Sequence, residues 1–399
     1  MLICFYSEKQ FLHYAWEQRK VGDLGNIVTG STPPTSDPTN YGGNYLFVSP
    51  ADIQDNRYVK TTITKLSEKG FKKCRILKEG STLFVSIGST IGKVAQTEGI
   101  ATTNQQINSI EPSKKYNDNF IYSLMTHNSK GIKELAATQA VPIVNKTSFS
   151  EVNVMIPLDI DEQIQIGNLF KNLDQLITLH QRKLDMLKKM KRAYLQQMFP
   201  QNDEDVPRLR FADFEGEWEQ RKLGDVTNIY DGTHQTPDYK NKGIMFLSVE
   251  NIKTLQSEKY ISEEAFVNEF KVHPENGDVL MTRIGDIGTA NVIESDEPIA
   301  YYVSLALLKK RKLNPYFLQS SIHSPAMKNE IWKRTLHIAF PKKINKNEIA
   351  NLPIRVPNKE EQDKIGIFFK QLEDNISLNQ AKLDKLNILK KSYLQKMFM

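Results

Sequence analysis

The stretch Gly88-Ser89-Thr90-Ile91-Gly92-Lys93 has the residue types of a phosphate cradle, glycines followed by a lysine. Such a cradle works by turning backbone N–H groups onto the phosphates while a Ser or Thr after the lysine meets the metal. Here three residues separate Gly88 from Gly92, one fewer than the pattern needs, and Val94 follows Lys93. The spacing therefore excludes a nucleotide triphosphate site. Pro237-Asp238-Tyr239-Lys240 has the opening of a nuclease carboxylate motif, but the acidic-x-lysine partner that would complete a metal site does not follow at a sensible distance. Transfer of a methyl group to adenine needs an Asn or Asp before two prolines and an aromatic after them, and Pro33-Pro34 sits between threonines. His234 and His273 are isolated loop histidines, better suited to structure or contact than to base catalysis. The chain contains no His-Glu-x-x-His, no Gly-x-Ser-x-Gly and no dinucleotide-binding glycine fingerprint. Cys4 and Cys74 have neither metal-ligand spacing nor the number for a disulfide framework, which suits a reducing compartment. These residues read as a non-catalytic chain with no metal or cofactor of its own.

The bulk numbers bound the alternatives. The 399 residues are 39% hydrophobic and 25% charged, enough for two or three globular domains. A net charge of +6 is compatible with a polyanionic partner without demanding one. No apolar run approaches the roughly 20 residues needed to span a bilayer. The apolar start, Met1 to Tyr6, has no basic region before it and meets Glu8 soon after, so it is not read as a signal peptide. A cytoplasmic protein with no membrane partner is expected.

The elements that carry these residues are duplicated. Trp16-Glu17-Gln18-Arg19-Lys20-Val21-Gly22-Asp23 returns as Trp218-Glu219-Gln220-Arg221-Lys222-Leu223-Gly224-Asp225, and residues 162–199 align without gaps on 361–398. About 20 of roughly 38 aligned positions are identical, and both copies close in Tyr-Leu-Gln-x-Met-Phe. Each copy is a whole module, far longer than a solenoid repeat. Between the matching ends the copies diverge, so a variable block of about 140 residues alternates twice with a repeated block of about 40. The expected division is an atypical segment 1–15, a first domain 16–158, a first helix 159–199, a linker 200–215, a second domain 216–358 and a second helix 359–399.

In the repeated blocks apolar residues recur at steps of three and four, the signature of one helix face. Leu169, Leu173, Leu176, Leu184, Leu187 and Tyr194 form this face in the first block, and Phe368, Leu372, Ile376, Leu383, Leu386 and Tyr393 in the second. Neither block contains proline; acidic residues open each and lysines fill the last turns, complementing the helix dipole. Forty residues would make a rod of roughly 60 Å. A single apolar stripe needs a partner, and each rod has its near-duplicate in the same chain; two equivalent modules related by a pseudo-twofold axis would pair their helices antiparallel. His180 and Asn379 interrupt the stripe at matching positions, either as buried register-setting groups or as exposed ones. The variable blocks alternate short strand-like runs, such as Thr82-Leu83-Phe84-Val85 and Ile244-Met245-Phe246-Leu247, with one late helix each, beginning at Asp118 and at Asn314-Pro315. The fold class is therefore α+β: two mixed domains joined by two long antiparallel helices in a coiled-coil-like spacer.

This arrangement resembles the specificity subunits of type I restriction-modification systems over nearly all of residues 16–399. The resemblance is carried by the two tryptophan-led segments, the twin helix ends, and Asp231-Gly232-Thr233-His234-Gln235-Thr236-Pro237 in the second domain. The first domain has Thr29-Gly30-Ser31-Thr32-Pro33 in that place, as expected if the two domains read different bases. The resemblance implies a subunit that binds double-stranded DNA and two methyltransferase subunits, which carry S-adenosylmethionine and methylate adenine N6. Two restriction subunits, using ATP and Mg, can join them. The implied target is bipartite, with a spacer of fixed length.

Candidate base readers are the polar groups of the glycine-rich loops, expected to be exposed: Ser86, Ser89, Lys93, Asn104, Gln105 and Gln106 in the first domain, Thr233, His234, Gln235, Arg283 and Asp286 in the second. Arginine suits guanine, and asparagine or glutamine suits adenine. Lys72, Lys73, Lys309, Lys310 and Arg311 are candidates for phosphate neutralisation. Two rival readings stand beside this one. A free-standing, pseudo-dimeric DNA-binding regulator would bind DNA without a methyltransferase, and an enzyme on an unrecognised fold would turn over a substrate alone.

Overall fold

The computed structural model describes residues 16–54, 56–136, 142–201 and 204–398. The atypical segment 1–15, Cys4 included, lies outside them. The chain divides into two compact units: residues 1–182 with 380–399, and residues 183–379. The cut passes through both long helices, so each unit contains one mixed domain, the first part of one helix and the last part of the other.

In the first unit a five-stranded sheet runs in the order Gly25–Thr29, Ile107–Pro112, Thr82–Val85, Val94–Thr97, Tyr58–Val59. A four-stranded sheet runs Lys65–Leu66, Tyr41–Val48, Ala101–Thr103, Ile76–Leu77. Alternation along one strand shows how they stack. Phe84 points into a core with Phe120, Phe149 and Phe170, while Leu83 and Val85 point to the opposite face, against Val48 and Ile107. A strand buried on both faces reads as a continuous apolar run, as Thr82-Leu83-Phe84-Val85 does. The helix Asp118–Glu134 begins where the sequence predicts it and is capped by Asn117, whose side chain accepts from Phe120 N.

The second unit repeats the plan. One sheet runs Asn228–Asp231, Leu305–Lys309, Val279–Thr282, Ala290–Val292, and a second runs Tyr260–Ile261, Ile244–Leu247, Ile299–Tyr301. Val279 and Met281 face one core and Leu280 the other. The expected helix opens at Pro315 with Asn314 as its cap, breaks at Ser324 and continues as Pro325–Lys333. The tryptophan-led segments have the same role in both units. Trp16–Lys20 pairs antiparallel with Asn153–Pro157, and Glu219–Lys222 with Pro353–Val356, the strands that lead into the long helices.

The long helices span Ile160–Gln197 and Lys359–Met397. They meet antiparallel in each unit. In the first, Phe398 at the end of the second helix sits 5.8 Å from Phe170 and 6.0 Å from Trp16, and Lys390 reaches Asp174 at 2.6 Å. In the second, Phe199 sits 5.9 Å from both Phe369 and Trp218, and Lys191 reaches Glu373 at 2.5 Å. The closing phenylalanine of each repeat thus completes the core that holds the other repeat's domain.

The apolar seam is narrower than the expected stripe. Leu173, Leu184, Leu372 and Leu383 are buried, while Leu169, Leu187, Tyr194, Phe368, Ile376, Leu386 and Tyr393 are half-buried. Leu176, expected at the helix contact, is 44% exposed. The reason is geometric. Leu173, Leu184 and Leu195 recur every eleven residues, a step that returns to within about 20° on the helix circumference, whereas Leu176 lies about 60° from Leu173. Asn379 is buried and His180 half-buried.

The first turn of each helix carries the same clamp. Gln163 accepts from Asn117 N (3.1 Å) and donates to Pro157 O (3.0 Å); Gln362 accepts from Asn314 N (3.1 Å) and donates to Pro357 O (2.9 Å). One turn on, Gly167 and Gly366 let the helix meet the capping asparagines so closely that an added Cβ would lie 2.5 and 2.4 Å from Asn117 Oδ1 and Asn314 Oδ1. The repeated glutamine and glycine of the two blocks thus bind each helix to the cap of its domain's own helix. The segment 207–217 supplies Arg210, whose guanidinium donates to both oxygens of the fully buried Glu361 (2.8 and 2.7 Å). The matching Glu162 accepts from Trp16 Nε1 (3.1 Å).

Candidate nucleic-acid interface

The loops picked out by their glycines come together at one end of each domain. In the first, residues 86–93 form the tip of the hairpin between the antiparallel strands Thr82–Val85 and Val94–Thr97. The turn 104–106 lies beside it, with Ser86 N donating to Gln106 O (2.8 Å). The Gly30–Pro34 loop joins them, since Ser31 N donates to Thr103 O (2.9 Å) and Thr32 Oγ1 to Gln105 Oε1 (2.5 Å). Only glycine fits at residue 30, where a Cβ would stand 2.1 Å from Asn104 O.

The second domain is built alike. Gly232 is pressed onto the Tyr301–Tyr302 backbone as Gly30 is onto residues 103–104, and Thr233 N donates to Tyr301 O (3.2 Å). The hairpin tip 283–289 corresponds to 86–93. A returning segment ties both tips down at equivalent atoms. Gly88 N donates to Pro142 O (3.2 Å) and Val144 N to Ser86 O (2.8 Å); Gly285 N donates to Lys342 O (2.9 Å) and Ile344 N to Arg283 O (2.9 Å). The weak sequence echo Ile87-Gly88 with Ile284-Gly285 marks this shared framework.

Two candidates do not lie at the surface as expected. Ser86 is 2% exposed and its hydroxyl faces Phe84 O; Arg283 is 6% exposed, donates from Nε to Ile344 O (3.2 Å) and pairs with Asp231. They occupy equivalent positions under the tips, where the chain must satisfy buried polar groups. Arg283 is thus consumed in holding Asp231 and the returning segment, and is not a free guanine reader. Ser89, Gln105, His234, Gln235 and Asp286 are exposed; Lys93, Asn104, Gln106 and Thr233 are half-buried. Several of these shape the loops themselves. Asn104 Nδ2 donates to Gln106 Oε1 (3.0 Å), Lys93 Nζ to Ile53 O (3.0 Å), and Thr289 Oγ1 to Asp286 Oδ2 (2.7 Å).

Among the basic residues, Lys72 and Lys73 pair with Glu68 and Asp37, and Lys309 with Glu275 and Asp278, so internal carboxylates occupy these cations. Lys310 and Arg311 are exposed. Arg75, absent from the sequence candidates, is exposed and braces the Gly30–Pro34 loop by donating to Thr29 O (2.6 Å). Its placement follows from strand pairing far along the chain, which no local pattern announces. The buried Cys74 thiol beside it is pushed up in pKa by desolvation, away from reactivity. Among the described residues no group of three or more His, Cys, Asp or Glu is arranged to hold a metal ion, and no helix is long and apolar enough to cross a membrane.

This end of each domain offers a rim of amides and hydroxyls on tethered loops, joined in the second domain by the His234 imidazole, groups that can hydrogen-bond to base edges. Residues 14–189 and 215–387 each match the family model described as a type I restriction modification DNA specificity domain. The chain is 20% identical over 416 aligned residues to the type I restriction enzyme MjaVIII specificity subunit of Methanocaldococcus jannaschii, covering 99% of this chain and 96% of that protein. It is 25% identical over 276 residues to the MjaIX specificity subunit of the same organism, covering 63% and 62%. Among solved structures, the S subunit of a type I restriction-modification system from M. genitalium superposes with a TM-score of 0.72 at 14% identity, over 98% of both chains, a likeness of fold.

Proposed function

Because the chain belongs to the family of type I restriction-modification DNA specificity domains, we propose that it is the subunit that selects the DNA sequence for such a complex. Each mixed domain reads one half of a bipartite target. The observation that carries this is the pair of equivalent loop clusters: one framework, with the same tethers at Gly88 and Gly285, presents different side chains. Equal frameworks with unequal readers make an asymmetric target. B-DNA has local twofold axes perpendicular to its length, to which a duplicated reader is naturally matched.

The long helices, each shared between the two units, set the spacer between the half-sites and offer the docking face for two methyltransferase subunits. Those subunits would supply S-adenosylmethionine chemistry, and restriction subunits, where present, the ATP- and Mg-dependent cleavage. The chain itself would act without a cofactor, in the cytoplasm, where its DNA and partners are. The regulator reading is less favoured, since the family pattern spans both halves of the chain.

Exchange of domains tests this. Replacing residues 16–158 with the corresponding block of a relative should change one half of the methylated motif and leave the other half and the spacer as they were. A chimaera that alters both halves would show that the domains do not read independently.

A further inference from the structure

Residues 336–343 of the second domain form a narrow loop closed by Leu336 N donating to Lys343 O (2.8 Å). At its tip Ile338 is 99% exposed and Phe340 103% exposed, the most exposed large apolar side chains among the described residues. Hydrophobic tips of this kind are costly in water and mark a surface that is covered in use. Below them Trp332 is 57% exposed, with Lys342 Nζ 5.0 Å above its ring. The loop's own cations are Lys342 and Lys343; of the neighbouring ones, Lys333 and Arg334 pair with Glu330 and Lys346 lies 4.0 Å from Asp231. The base of the loop is fastened to the hairpin tip 283–289 by the Gly285 N to Lys342 O and Ile344 N to Arg283 O bonds (both 2.9 Å). Apolar points set in cations and fixed to the reading rim fit a polyanion that also offers flat apolar surfaces, which a DNA duplex does.

We propose that the 336–343 loop is a DNA wedge: Phe340 and Ile338 press between or against base pairs while Lys342 and Lys343 hold the adjoining phosphates. Side chains of this type unstack a base step, and the deformation is offset by the wider contact that the bent duplex permits. This rests on the DNA reading above and adds to it an element that reads deformability and not base edges.

The test uses the full chain, with the methyltransferase subunits that co-purify with it, and two probes: a duplex carrying the methylated motif mapped in the host genome, with 2-aminopurine replacing single adenines, and a duplex of scrambled order. The wedge predicts that the double variant I338A/F340A binds the motif duplex at least tenfold more weakly and loses the 2-aminopurine fluorescence rise seen with the unaltered protein, with its thermal unfolding unchanged. F340W should retain both signals. K342Q/K343Q should lower the salt dependence of binding by about two counterions. If the unaltered protein fails to distinguish the two duplexes, the DNA reading falls and the wedge with it. If it distinguishes them and I338A/F340A matches it in affinity and fluorescence, the wedge alone is overturned. It is likewise overturned if that variant keeps its DNA binding but no longer co-purifies with a methyltransferase subunit, which would assign the patch to protein docking.

Discussion

At the scale of single residues, the repeated sequence is explained by contacts that recur atom for atom. Gly366 is the sharpest case. Within a helix, glycine to alanine ordinarily stabilises by about 1 kcal/mol through backbone propensity. Here the new Cβ would stand 2.4 Å from Asn314 Oδ1 and 3.2 Å from Phe317 N. Gly366→Ala is therefore expected to destabilise the protein by about 1–3 kcal/mol, as overpacking does, seen as a lowered midpoint in denaturant unfolding. A gain in stability would show that the helix does not approach the cap so closely. The glycine and the glutamine lie inside the block whose recurrence the sequence shows, while the capping asparagines they meet belong to the variable block, so no repeat points to that contact. The candidate site divided in the same way. Ser89, Gln105, His234, Gln235 and Asp286 are on exposed loops as glycine-rich composition predicts, but Ser86 and Arg283 end under the tips. Composition marks a loop without saying which of its residues turns inward to satisfy the backbone.

At the scale of elements, strands buried on both faces and helices with one apolar face were readable from periodicity. The narrow row Leu173, Leu184, Leu195 was not, because steps of three and four also collect Leu176, which the structure leaves exposed. The helix Pro315–His323 carries a pH-sensitive group that no sequence pattern marks. His323 Nε2 accepts from Ala290 N (3.0 Å), and its pKa is pushed down to about 3 by desolvation and by the nearby Lys191 and Lys328. The unfolded imidazole titrates near 6.5, so between about pH 3 and 6.5 the unfolded chain binds the extra proton. Stability contributed by the neutral ring is complete above about pH 6.5 and is lost as pH falls, by up to about 1.4 kcal/mol per pH unit from this residue. His323→Gln should flatten that part of the unfolding-midpoint curve against pH. An unchanged slope would show that the ring is not held neutral.

At the scale of the whole molecule, the duplication, the antiparallel meeting of the helices and the two mixed domains all followed from the sequence. What did not was the exchange of ends, in which Phe199 and Phe398 each complete the core around the other copy's tryptophan. Sequence places Phe199 beside its own block, and only packing shows where it goes. If the shared helices set the spacer, four residues inserted near Lys183 should lengthen it by between one and two base pairs, about one helical turn of 5.4 Å, while both half-sites stay the same. An unchanged spacer would take the ruler role from the helices. The claim beneath all of this is that the chain chooses where a methyltransferase acts. Single-molecule sequencing of methylated adenines in the host genome, with the gene present and deleted, measures that choice directly. The account predicts one asymmetric bipartite motif, methylated with the gene and unmethylated without it. A methylation pattern that does not change on deletion would contradict it.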